Sequence, residues 1–349
     1  MQPAGVRLAA VLAAVALLTA CAERERPPPA PPVVPPAPPR VTPSPIPLPA
    51  DGRVIVEARE YPWSAVGRVN TGGRGYCTGI LIGPRHVLSS APCLYNAIEG
   101  RWWHESEVHF VAGYQRDRYL ANSPVSSYQA APGYDPRAGV SLGNIANTWA
   151  LITLSDPIGR ETGWLGVQGL DQSLRRRIAL GEAQVLPVGY RRGRAHVILL
   201  NLGCGLAGAV LTASYIQPDC EVLPGDAGVP PLVFAGGDLR PAGEQIANLA
   251  PGSLGAALRG AGIGPGRGRA PPSGAAAAPL PLATIDYFLV HLGYMAPAGE
   301  GDFRAPDGEA RAAAIRDFQR RNGLPPDGRP SISLLGYLIW AAQPAPAVG

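Results

Sequence analysis

The sequence predicts an all-β domain of about 200 residues followed by a small all-α domain of three short helices. Three observations lead to this. From Arg53 to Leu249, short apolar or alternating runs recur, separated by Gly, Pro, Asn and Asp clusters. Beyond Pro281 the apolar period changes from strand-like to helical. Each domain is preceded by a segment too rich in Pro, Gly or Ala to build a core of its own.

The strand candidates follow in order: "GRVIVEA", "SAVGRVN", "TGILIG", "HVLSSA", "EVHFVAGY", "TWALITL", "EAQVLPVGY", "AHVILLNLG" and "GVPPLVFA". No helix-period segment of any length is expected among them. "RGAGIGPGRGRAPPSGAAAAPLP", within 256–281, reads as a linker. Ile285, Phe288, Leu289 and Leu292 then fall at i, i+3, i+4 and i+7, with Thr284 as N-cap and Gly293 as stop. Ile315 and Phe318 mark a second helix, and Leu334, Leu335 and Leu338 a third after Ser331. The helical domain spans 282–345 and the β domain 53–255.

The N-terminus, 1–21, is a targeting segment. Arg7 supplies a positive start, and Leu8 to Leu18 form an apolar core too short to span a bilayer as a stable helix. It ends in "LTAC", which resembles the bacterial lipobox and implies that Cys21 carries lipid. Ala22 follows, not Asp, which by the enteric sorting rule favours the outer membrane, facing the periplasm. Residues 22–52 are rich in proline. They favour extended polyproline II, a spacer reaching on the order of 75 Å.

With 349 residues, 46% of them apolar, the chain can bury one large core and one small one. The net charge of +4 and the lack of a basic run interleaved with aromatics argue against a nucleic-acid binder. All 30 basic residues are arginines, which removes every Ser-Lys mechanism. After Cys21, four cysteines remain in an exported chain: Cys77, Cys93, Cys204 and Cys220. Sequence permits three pairings, of which the local ones, Cys77–Cys93 and Cys204–Cys220, are the simplest. No CxxC occurs, and the histidines at 86, 104, 109, 196 and 291 are scattered, so neither a metal nor a cofactor is expected.

Three blocks carry a family resemblance: "GYCTGILIGPRHVLSSAPCLYN" (75–96), "NTWALITLSDPIG" (147–159) and "CEVLPGDAGVPPLV" (220–233). In order and spacing they resemble the histidine, aspartate and serine blocks of trypsin-like serine proteases, nearest to the bacterial glutamyl-endopeptidase-like branch. The resemblance implies a chymotrypsin-like fold, two packed β-barrels with a cleft between them. It also implies a triad in which serine attacks, histidine takes its proton and a buried aspartate orients the imidazole. Here the three positions hold Pro92, Thr148 and Ala227. Proline has no proton to move, threonine carries no charge and alanine has no nucleophile. Ser89, Ser90 and His86 are the nearest substitutes, but they lie on the base's strand and not at the nucleophile turn. Gly225, Asp226 and Gly228 survive around Ala227, so the oxyanion-hole-like turn (Gly225, Asp226, Ala227) is expected to persist. Val229, where the family usually has a small residue, is expected to crowd the old cleft.

A second resemblance covers 284–341. "LGY" (292–294), "GDF" (301–303), "AAIRDFQRRNGLPPDG" (313–328) and the helix at 334–338 resemble the peptidoglycan-binding-like domain of bacterial cell-wall proteins. It departs at "EGDF", where Glu300 replaces an aspartate and Arg304 a glycine. Arg316, Gln319 and Asp327 are the expected ligand contacts. Together these readings imply a non-catalytic protein of the bacterial cell envelope, with lipid at one end and peptidoglycan at the other. An unknown peptide or protein would occupy the empty cleft. Two alternatives stand beside it: a hydrolase with an unconventional mechanism, and a purely structural membrane-to-wall tether.

Overall fold

A computed structural model describes residues 46–343 apart from 74, 140–143, 145–146, 168, 170, 181–182, 203–204, 212–215, 220–231, 236–237 and 242–252. Cys21, Cys204, Cys220 and the turn Gly225–Val229 lie outside the described residues.

The first half of the β domain contains nine strands: β1 (Arg53–Val56), β2 (Val66–Thr71), β3 (Gly75–Leu81), β4 (His86–Ser90), β5 (Tyr95–Asn96), β6 (Arg101–Trp102), β7 (Val108–Ala112), β8 (Ala121–Ala130) and β9 (Trp149–Leu154). Six of them close a barrel in the order β2-β3-β4-β9-β8-β7. Side chains fill its interior, as expected for a small barrel. Ile80, Leu88, Phe110, Trp149 and Ile152 are all buried. The Phe110 ring lies so close to Gly67 that a Cβ there would overlap it, which explains a glycine in mid-strand.

The second half carries β10 (Gln184–Leu186), β11 (Val188–Arg191), β12 (Arg194–Asn201), β13 (Gly205–Leu211), β14 (Ile216–Asp219), β15 (Leu232–Ala235) and β16 (Asp238–Pro241). Among the described residues these form three antiparallel sheets: β1-β12-β11, β10-β15-β16 and β13-β14. The halves are fastened by Tyr190, buried at 0% exposure. Its N–H donates to Thr78 Oγ1 at 2.9 Å and its hydroxyl to the Tyr114 carbonyl at 2.8 Å.

Helices do interrupt the strands, contrary to expectation. α1 (Gly159–Thr162) is a single turn, and α2 (Gln172–Ala179) is capped by the Asp171 carboxylate accepting from Leu174 N–H. Only Leu174 and Ile178 of α2 are buried, so a narrow i, i+4 seam on an arginine-rich helix leaves little apolar signal.

After α3 (Ser253–Gly260), which buries Leu254 and Leu258, the Gly/Ala/Pro segment lies along the barrel as a strap. Bridges join Val167 to Pro265, Trp164 to Arg269 and Glu60 to Ala278. The fit is close: a Cβ on Gly166 would collide with the backbone of Gly266.

The helical domain consists of α4 (Leu282–His291), α5 (Gly308–Arg321) and α6 (Ile332–Ala342). Ile285, Phe288, Leu289, Ile315, Phe318, Leu334, Leu335 and Leu338 form its core, as their spacing predicts. The Asp286 carboxylate, fully buried, accepts from Arg311 at 2.6 and 2.7 Å and from Ala305 N–H at 2.9 Å. Ser331 caps α6, and Gly293 ends α4 at φ +77°.

Thr284 is not the cap of α4. The helix begins two residues earlier, and Thr284 lies inside it, accepting from Trp63 Nε1 of the β domain at 3.0 Å. The capping role falls to Glu60, whose carboxyl oxygens accept from Ala283 N–H at 2.9 and 3.0 Å. A helix start has unpaired N–H groups, and here an acid from the other domain accepts from one of them. The two domains therefore interlock through side chains as well as through the strap.

Candidate functional site

Strand β4 runs from His86 to Ser90 and passes into a 3-10 turn, Ala91–Leu94, which carries Pro92. The turn is fastened by a Cys77–Cys93 disulfide to β3. Strand β9 starts at Trp149, directly after Thr148, and pairs with β4 so that Ser90 faces Trp149. One residue beyond that pair, Ala91 N–H donates to the Thr148 carbonyl at 2.6 Å. The two strand ends thus bring Pro92 and Thr148 to one rim of the barrel. Pro92 is half-buried and Thr148 is 3% exposed. Neither side chain can accept a proton near neutral pH or carry the charge that would hold an imidazolium.

The five histidines are engaged elsewhere. His86 stands at the opposite end of β4, facing Thr153, and burial followed by the Arg85 charge pushes its pKa down. His104 bonds Ser106, His109 contacts the Asn70 amide, and His196 bonds the Tyr114 hydroxyl. His291 lies in the helical domain. Ser89 is fully buried and spends its hydroxyl on the Thr78 carbonyl at 2.8 Å, and Ser90 is 5% exposed. The third expected site residue, Ala227, and its turn are outside the described residues.

In the helical domain, the expected contacts are occupied internally. Gln319 donates to Asp327 at 2.7 Å and accepts from Gly328 N–H at 2.9 Å, which fixes the loop after α5. Arg316 pairs with Glu309 at 2.6 Å.

A groove that sequence patterns did not reveal lies where the domains meet. Its volume is about 780 Å³. One wall is the edge of β1 with the turn Gln115–Arg118; the other is α4 with the loop Glu300–Arg304. The segment from Ile46 to Pro49 borders it, held by Ile46 N–H donating to the His291 carbonyl at 3.1 Å. Tyr287 stacks parallel to His291 at 6.2 Å and meets Phe303 edge-on at 5.1 Å. Burial lowers the His291 pKa, against a smaller opposing effect of the Ile46 backbone, and among the described residues its Nδ1 is buried with no hydrogen-bond partner.

Architecture and site define the class: a chymotrypsin-like β domain joined to a three-helix domain. Known families agree. The trypsin family matches residues 52–190, and the "putative peptidoglycan binding domain" family matches 282–338. The chain carries a trypsin-type domain fused to a peptidoglycan-binding-type domain. A curated relative, a glutamyl endopeptidase of Bacillus licheniformis, is 27% identical over 120 residues, 34% of this chain and 35% of the relative. The match thus spans about a third of that relative's length. A solved Glu endopeptidase structure, in complex with MPD, aligns at TM-score 0.38 and 17% identity, covering 55% of this chain and 83% of that one.

Proposed function

We propose that this is a non-catalytic, trypsin-like pseudoprotease of the bacterial envelope. Its β domain holds a peptide or protein segment without cutting it, and its helical domain associates with peptidoglycan. In this reading Cys21 is lipidated at the outer membrane facing the periplasm, 22–52 is the spacer, 53–255 the inactive domain and 282–345 the wall module. Support comes from one observation above all. The rim where a protease of this type needs a base and an orienting acid carries Pro92 and Thr148 instead, joined by the 2.6 Å bond between Ala91 and Thr148. Without a base the chemistry has no first step, and a site lacking its triad retains only the small contribution of binding and an oxyanion hole. The frame around the rim is intact, with its Cys77–Cys93 disulfide and closed barrel.

The test uses the full chain. Purified protein is incubated with casein and, separately, with a serine-reactive phosphonate probe. No turnover and no labelling above a heat-killed control are expected; either one overturns the pseudoprotease. Co-sedimentation with insoluble sacculi tests wall association, and protein left wholly in the supernatant would remove it.

A further inference from the structure

We propose that the groove at the domain junction binds the stem peptide of peptidoglycan through its carboxylates, a site built jointly by the β domain and the helical domain. This inference rests on the wall-association reading and gives it a location.

Four arginines line the groove: Arg53, Arg116 and Arg194 from the β domain and Arg304 from the helical domain. Glu57, Glu300 and Asp302 line it as well. Arg194 and Arg304 have partners, Asp51 at 3.9 Å and Asp302 at 3.1 Å. Arg116 has no carboxylate within ion-pair distance among the described residues, which leaves its guanidinium available to a ligand. Its backbone is costly. Arg116 and Asp117 sit at φ +49° and +65°, in a two-residue turn closed by hydrogen bonds between Gln115 and Arg118 of 2.7 and 3.0 Å. Left-handed backbone costs an arginine roughly 1–2 kcal/mol, aspartate tolerates it more readily, and glycine would relieve it. The turn is also fixed from the far side, Arg116 N–H donating to the His196 carbonyl at 2.7 Å. A strained position holding an unpaired arginine at the mouth of a groove points to recognition.

The opposite wall adds Arg304, which lines the same groove from the helical domain while its guanidinium pairs with Asp302. The His291–Tyr287–Phe303 wall offers apolar surface, and among the described residues His291 Nδ1 lacks a partner. A groove of about 780 Å³ is within the range of sites for short ligands.

A wall stem peptide suits this chemistry. It is short, it exposes several free carboxylates, and its diamino acid carries one ammonium. Arginine forks grip carboxylates in bidentate fashion, and the acids on the rim can receive the ammonium. Peptide-free glycan keeps one isolated lactyl carboxylate per muramic acid, but it lacks the peptide's clustered carboxylates and its ammonium.

The experiment titrates the full chain with a soluble muropeptide monomer by calorimetry. Arg116→Gln, Arg304→Gln and the double variant are compared with the wild type, and glycan strands stripped of peptide serve as competitor. The double variant should lose at least tenfold in affinity with an unchanged circular dichroism spectrum and melting temperature, and stripped glycan should not compete. Equal affinity in the double variant, or full competition by stripped glycan, overturns the groove. Sacculus binding separates the two readings. If the wild type and the double variant sediment alike, the groove fails and wall association stands. If the wild type binds neither sacculi nor muropeptide, both fall.

Discussion

Glu60→Gln tests the domain junction quantitatively. Burial, the dominant cause, raises the Glu60 pKa from 4.5 to about 7, against the opposing pull of the Ala283 N–H. Glu57 and Asp286 push in the same direction, while Arg311 faces the group as a cation from α5. The folded chain therefore keeps this proton up to about pH 7, whereas the unfolded chain releases it near 4.5. Between those values the folded state binds more protons, so stability falls as pH rises. The contribution is fully present below pH 4.5 and gone above about 7. At ~1.4 kcal/mol per pH unit the whole passage amounts to about 3 kcal/mol. Glu60 keeps some solvent contact, and screening reduces this to about 2 kcal/mol. Glutamine mimics the protonated acid and cannot titrate. Thermal melts across the range from acid to mildly alkaline pH should show the wild type losing roughly 4–8 °C. The Glu60→Gln protein should lack that component, because every other titrating group, His86 and His291 included, is common to both. Parallel pH profiles in the two proteins would refute the reasoning.

Three further outcomes are expected. Cys77→Ser opens the link between β3 and the Pro92 turn and should cost about 2–4 kcal/mol in urea unfolding, an effect that reductant reproduces in the wild type. Asp286→Asn leaves the half-buried Arg311 without its buried partner and should cost about 2–4 kcal/mol, read as early loss of helical signal in a circular dichroism melt. Restoring Pro92→His, Thr148→Asp and Ala227→Ser together should yield no more than trace casein hydrolysis. Vigorous turnover would mean that the cleft had kept its working geometry.

Legibility followed the range of the interactions. Barrel strands and the helical core were readable because alternation and the 3.6-residue period are local properties. Ile285, Phe288 and Leu289 lie on the predicted face of α4, and all are buried. The rim was readable because Pro92 is two residues from β4's last pair and one from a cysteine. Helix α2 was hidden because Arg175, Arg176 and Arg177 swamp a seam of two apolar residues. The strap reads as a linker by composition, yet Pro271 and Ala277 are buried against neighbours that only the fold supplies. The junction groove has no motif at all. Arg53, Arg116 and Arg304 are far apart in the chain, and the cap on α4 comes from a residue 223 positions upstream.

That distant cap limits how such a protein can be rebuilt in evolution. A gene segment starting at α4, moved to another host, would carry a helix whose first N–H groups had left their acid behind. The donor would keep Trp63 and Glu60 facing open water. Parting the halves at α4 thus removes two contacts at once, the acid on the Ala283 N–H and the indole on Thr284.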